Sequence, residues 1–234
     1  MFYDTATQNL SENKTRVLLS NKVLDFEERD TTKWVSFFEM AQENNLEIYE
    51  GFTEFNLFDY DIIVWDCCQS YKYNQYLFEN VEALLKKGKY LIIYGSKSCF
   101  GRTANDLNPI TSSQDANRIT TQYGIRIEET MHPSSLVSIH QNKIFKEEFV
   151  VRTGTYAPLS VLSKSEQRNS KNVTILAKNT NGEGVLSVYT RGKNRGKLFV
   201  HGLGAYFLQG GKKENKMLKV FEMIVVDFKN SQKT

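Results

Sequence analysis

The stretch DIIVWDCCQSYKYNQYLFENVEALLKKGKYLIIY, residues 61–94, holds two continuously apolar runs around one amphipathic segment. Residues 61–65 and 90–94 are too short for helices and too apolar for half-exposed strands. They predict strands buried on both faces, as in a parallel sheet. Between them, Leu77, Val81, Leu84 and Leu85 share one face of a helix from about Asn74 to Lys87. Lys86 and Lys87 set cations at its negative end, and Gly88 supplies a left-handed cap. A strand–helix–strand unit of this kind joins parallel strands by a right-handed crossover.

The same pattern extends upstream. Residues 16–20 predict an opening strand, and Asp30 or Thr31 a cap for a helix with Trp34, Phe37, Phe38 and Ala41 on one face. Asn44-Asn45 stops it, and residues 46–49 alternate like a more exposed strand. Downstream, a third helix from Ser113 turns Ala116, Ile119 and Tyr123 inward and ends at Gly124. From Ile125 the texture changes. Short strands are expected at 125–128, 136–140, 149–151, 159–162, 173–177 and 185–189, separated by turns such as Asn179-Thr180-Asn181-Gly182. The first pattern then returns, with a strand at 197–201 and a helix holding Met217, Leu218, Phe221, Ile224 and Val225. The expected fold is α/β: a doubly wound, mostly parallel flavodoxin-like sheet with an antiparallel β extension in the second half. No Pro-, Gly- or Ser-rich linker divides it. Residues 16–229 are therefore expected as one domain, after a flexible segment 1–15 and before a C-terminal tail 230–234.

Composition narrows the function classes. The 234 residues are 40% apolar and 24% charged, a globular balance. Thirty basic residues nearly cancel 27 acidic ones, leaving +3, which implies neither a nucleic-acid nor a membrane footprint. No run approaches the roughly 20 apolar residues of a membrane span. The start, MFYDTATQNLSENKT, lacks the basic and apolar regions of a secretory signal. Three cysteines, Cys67, Cys68 and Cys99, make a poor disulfide framework and fit a reducing cytoplasm. With no C-x-x-C pair and only His132, His140 and His201 to help, neither metal nor cofactor is expected.

Ligands of open α/β sheets bind outside the carboxyl ends of the strands. That rule selects Asn21, Asp66, Gly95, Ser96, Lys97 and Gly202 as candidate ligand-binding residues. For catalysis the candidates are Ser96, Cys67 and Cys68 as nucleophiles, with His201 as base. The alternative reading of each is structural: the thiols as small hydrophobes finishing a buried strand, His201 as a satisfied core residue. Residues 95–101 match neither a phosphate loop nor an esterase elbow. Four cations in residues 191–197 predict a solvated hairpin turn, or less simply a site for an acidic partner.

Four stretches carry a resemblance: 58–64 (FDYDIIV), 78–93 (FENVEALLKKGKYLII), 105–127 with its Gln122-Tyr123-Gly124-Ile125 ending, and 185–203 (VLSVYTRGKNRGKLFVHGL). In their order they resemble the class I glutamine amidotransferase-like superfamily. The likeness is to its non-amidotransferase branches, such as the GIFT-type and trehalose-utilisation-like domains. In a true amidotransferase the resemblance implies a nucleophilic Cys in the turn matched here by Gly95-Ser96-Lys97-Ser98, where no Cys stands, and Cys99 falls late. It lays His201 on the family's base and puts Leu203 where a Glu would orient it. Two of three triad members are thus missing, and such a unit loses orders of magnitude in rate with each. The resemblance implies a pseudoenzyme: a binding module for a protein partner or small polar ligand within a larger assembly. The competing expectation is a hydrolase using Ser96 or Cys67/Cys68 with His201.

Overall fold

The computed structural model describes residues 14–20, 34–51, 56–67, 71–94, 112–128, 132–133, 135–152, 156–192, 196–202 and 217–233. In chain order the first half contains β1 (Thr15–Leu19), α1 (Val35–Glu43), β2 (Leu46–Glu50), β3 (Ile62–Asp66), α2 (Tyr71–Lys86), β4 (Tyr90–Tyr94) and α3 (Ser112–Thr120). Then come β5 (Ile125–Ile127), β6 (Leu136–Ile139), β7 (Phe149–Arg152), β8 (Leu159–Val161), β9 (Val173–Asn179) and β10 (Gly184–Thr190). The described elements close with β11 (Lys197–His201) and α4 (Met217–Gln232).

The sheet order is β2-β1-β3-β4-β11-β10-β9-β6-β7, with β5 and β8 paired beside β10. The first five of these strands are parallel, in the flavodoxin-like order. From β10 outward every pairing is antiparallel. Both halves of the expected architecture are present. So is the parallel alignment of β3, β4 and β11, on which a shared rim depends.

Strand alternation explains why the apolar runs are continuous. Ile62 and Val64 enter one core with Phe37 and Met40 of α1 and Phe221, Ile224 and Val225 of α4. Ile63 and Trp65 enter a second core with Leu77, Val81 and Leu84 of α2 and Ile119 of α3. Every residue of β3 therefore lies under a helix on one side or the other. Each such Ile, Leu or Val contributes about 1.5–3 kcal/mol by leaving water. Cation and phenol fasten the sheet to α4. Asp227 accepts a hydrogen bond from the Tyr90 hydroxyl at 2.6 Å and an ion pair from Lys197. Burial, reinforced by that hydrogen bond, pushes the Tyr90 phenol far above its usual range.

In the extension a loop replaces a helix. Ile144 and Phe145, between β6 and β7, fold back onto Val137, Ile139 and Val151. Asn142 Oδ1 holds that bend by accepting from the backbone N–H groups of Ile144 and Phe145 at 2.8 and 3.0 Å. The opposite surface of this hairpin leaves Leu136 and Val150 exposed.

Several sequence expectations need correction. Phe38 does not belong to the buried face of α1: it is 44% exposed, while Met40 is buried with Phe37 and Ala41. The stripe turns because α1 begins only at Val35, with Trp34 as its cap; Asp30 and Thr31 lie outside the described residues. α2 starts at Tyr71, so Asn74 is an interior residue rather than a helix start. β1 takes in Thr15, and α4 continues to Gln232, into the residues assigned to a tail. Arg191 and Lys197 are not solvated turn cations. Arg191 is ion-paired to Glu82, and Lys197 is an inner-strand residue tied to Asp227.

Candidate functional site

At the carboxyl rim of the parallel sheet, Asp66 ends β3, Tyr94 ends β4 and His201 ends β11. The three are in one register row, Asp66 opposite Tyr94 and Tyr94 opposite His201. Adjacent strands stand about 4.8 Å apart, so Asp66 and His201 are about 10 Å apart at the backbone, across one strand. Val64 and Phe199, two residues earlier, both enter the core beneath α1 and α4. Alternation therefore directs Asp66 and His201 to that same side. Both are nearly sealed from solvent by neighbouring residues, at 6% and 2% exposed.

Buried hydrogen bonds fix this rim. Ser20 Oγ accepts from the Asp66 backbone N–H at 2.8 Å, and the Ser20 N–H donates to the Val64 carbonyl at 3.0 Å, locking β1 to β3. On the other face, Asn74 Oδ1 accepts from Trp65 Nε1 at 2.9 Å, and Asn74 Nδ2 donates to the Cys67 carbonyl at 3.0 Å. One side chain thereby clamps the chain where it leaves β3. At the end of β11, the Gly202 N–H donates to Val185 O at 2.9 Å, and the Ala157 N–H donates to Gly202 O at 2.7 Å. The close approach that Gly202 permits is made here by protein: a Cβ at this position would lie 1.9 Å from the Ala157 carbonyl oxygen.

The sequence-predicted residues divide accordingly. Asp66, His201 and Gly202 share the rim. Cys67 does not join them. It is 2% exposed within the core under α2 and α3, the face opposite His201. The side chains clustered around it are apolar, the setting of a structural thiol. Asn21, Cys68, Gly95, Ser96, Lys97, Cys99 and Leu203 lie outside the described residues. Ser20, in the strand end that sequence reading placed at this edge, is confirmed at the rim, whereas Asn74 is a rim residue that sequence reading missed. The only signal for Asn74 was a polar residue three before Leu77, on the helix side that faces β3.

A second polar cluster lies in the extension, joined to the rim through Tyr156-Ala157. His132 and Tyr156 form an antiparallel bridge and stack with ring centroids 5.5 Å apart. His132 Nδ1 is 3.5 Å from Glu183 Oε2, and Asn179 Nδ2 donates to the Tyr156 hydroxyl oxygen at 2.6 Å. Asn179 Oδ1 also accepts from the N–H groups of Asn181 and Glu183, which forms the predicted turn. These bonds account for the cluster as the closure of the β9–β10 hairpin. Among the described residues no group of three or more His, Cys, Asp or Glu is arranged to hold a metal ion. No described helix is long and apolar enough to cross a membrane.

The fold matches solved structures at low identity. It is similar to part of a β-galactosidase from Rahnella sp. R3, with a TM-score of 0.53 and 10% identity, over 92% of this chain and 31% of that one. An exo-β-1,4-mannosidase from Opitutaceae bacterium strain TAV5 gives 0.51 and 9%, over 93% of this chain and 36% of that one. The glutaminase domain of a Trypanosoma brucei CTPS, with bound acivicin, gives 0.50 and 10%, over 91% of this chain and 93% of that one. The chain shares the fold of that glutaminase domain. It spans about a third of the two glycosidases and nearly all of the glutaminase domain. No protein-family model matches the chain, and no curated protein matches it in sequence. At these identities the likeness carries the fold and not the chemistry.

Proposed function

We propose that this chain is a non-catalytic amidotransferase-like domain, of the branch that has left glutamine hydrolysis behind, and that it binds a protein partner or small polar ligand within a larger assembly. The observation that carries this reading is the separation of Cys67 from His201 by the sheet itself. A nucleophile and its base must approach within about 3 Å, directly or through one water. The sequence agrees, with Ser96 in the matching turn and Leu203 where the family's glutamate would stand. Among the described residues the rim holds a carboxylate and an imidazole on one side, both nearly buried, on a backbone fixed by Ser20 and Asn74, which supports recognition of a ligand that reaches beneath the residues covering them. In a reducing cytoplasm Cys67 stays a buried thiol under this reading.

The test is a panel of glutamine, ester and amide substrates run with the full chain and with His201→Ala. The expected result is no turnover above background in either. Turnover by the parent that disappears in His201→Ala overturns the proposal and establishes the hydrolase alternative, with Ser96→Ala as the next variant. Ligand capture from a metabolite mixture, followed by native mass spectrometry, should give a bound species that Asp66→Asn weakens.

A further inference from the structure

The opposite end of the same sheet carries an unassigned cavity. It has a volume of about 980 Å³ and opens where β1, β2 and β3 begin, beside the last turn of α4. Four cations, Lys14, Arg16, Lys229 and Lys233, line it against two carboxylates, Glu47 and Asp61. The two carboxylates are already engaged. Glu47 lies 3.8 Å from Arg16, and Asp61 accepts from Lys89 Nζ at 3.1 Å and from the Arg16 backbone N–H at 3.0 Å. Arg16 is further held by the Tyr49 hydroxyl and the Asp59 carbonyl, and stacks over the Tyr49 ring.

The lysines are balanced differently. Lys229 Nζ donates to the Asn44 carbonyl, a neutral group. Among the described residues, no carboxylate lies within ion-pair distance of Lys14, Lys229 or Lys233. The end of α4 presents only about half a negative charge, too little to neutralise three ammonium groups. Among the described residues, therefore, positive charge is in excess around a cavity whose lining also includes Phe228 and Gln232. The volume is at the upper end of small-molecule pockets, larger than a bare inorganic ion fills.

We infer that this amino-end cavity is a binding site for a small organic polyanion, a phosphorylated or polycarboxylate molecule carrying at least two negative charges. Lys14 and Lys233 contact the charges, and Lys229 and Gln232 border them. The site is about 15 Å from the carboxyl rim, the length of a five-residue strand, and does not rest on the function proposed for that rim.

The test uses the full chain, with pyrophosphate and citrate as separate calorimetric titrants at low salt. Saturable one-to-one binding of at least one is expected, weakening several-fold toward 0.15 M salt because the lysines are exposed. K14Q/K233Q should weaken it at least tenfold with an unchanged melting temperature, whereas His201→Ala should leave it unchanged. Pyrophosphate alone binding identifies a phosphate site, citrate alone a carboxylate site. Amide shifts induced by the bound titrant in the parent should centre on Lys14 and Lys233, which decides the matter even if the double variant misfolds. No saturable heat with either titrant, equal binding by K14Q/K233Q, or shifts centred elsewhere would overturn the inference.

Discussion

The parallel and antiparallel halves of this sheet solve the same burial problem with different sequence textures. Between β1 and β11 helices cover both faces, so β3 is buried at every position. In the outer hairpin of β6 and β7 one face is covered by the 141–148 loop and the other meets solvent. Only Val137, Ile139 and Val151 are buried there. The number of covered faces decides whether a strand reads as a continuous apolar run or as an alternation. The seam between the halves is the β10–β11 ladder, and just past its end Gly202 joins Val185 and Ala157 of the extension to the parallel rim.

Breaking that seam should have the largest effect. Gly202→Ala forces a Cβ into the Ala157 carbonyl, and a loss of about 3 kcal/mol or more is expected. Chemical denaturation measures it; a variant as stable as the parent would show that the halves are not joined there. Next, Asp227→Ala leaves Lys197 and the Tyr90 hydroxyl without their shared partner inside the parallel half. The pair is about 15% exposed, so the cost should be about 2 kcal/mol, below that of a fully buried pair. Asn74→Ala strands the indole N–H of Trp65 and the Cys67 carbonyl in the interior, at about 1–2 kcal/mol. A Trp65 emission change without global unfolding would localise that loss to the rim.

The smaller effects test surfaces. Glu82 is held below the usual carboxylate range chiefly by its hydrogen bond from Arg191. Because its folded pKa is depressed, the stabilisation is present above the ordinary carboxylate pKa and is lost as pH falls through the folded value. Carboxyl titration by NMR should find Glu82 depressed in the parent and near its ordinary value in Arg191→Gln. Leu136→Ser, on the solvent face of the extension, should change stability by no more than about 0.5 kcal/mol. A large loss would mean that this face is covered in solution.

Legibility in the sequence followed the strength of periodic signals. All eleven described strands fell on segments read as strands, some as continuous apolar runs and some as alternations, and Gly88 and Gly124 ended helical segments where expected. Phe38 misled because the stripe was anchored on Trp34, which caps α1 instead of lying within it, and the buried face runs through Phe37, Met40 and Ala41. Asn74 misled because a polar residue near an expected helix start looks like a cap. Its true partners, Trp65 and Cys67, become visible only when α2 is packed against β3. The rim was legible as a set of strand ends. Strand parity lets only one of Cys67 and Cys68 face the crevice, and the packing of β3 and β11 in one sheet puts Cys67 on the face away from His201.

The sequence by itself determined the alternation of strands and helices, the switch to short strands after Gly124, and the absence of a cysteine from residues 95–98. These are local properties, written in spacing and residue type. Only the tertiary structure decided that β11 lies beside β4, that Gly202 is covered by Ala157, and that Lys14 and Lys233 face one cavity. Those facts depend on contacts between segments as many as 219 positions apart in the chain. No local pattern encodes such pairings, because they arise from how the two apolar faces of one sheet are shared among the four described helices.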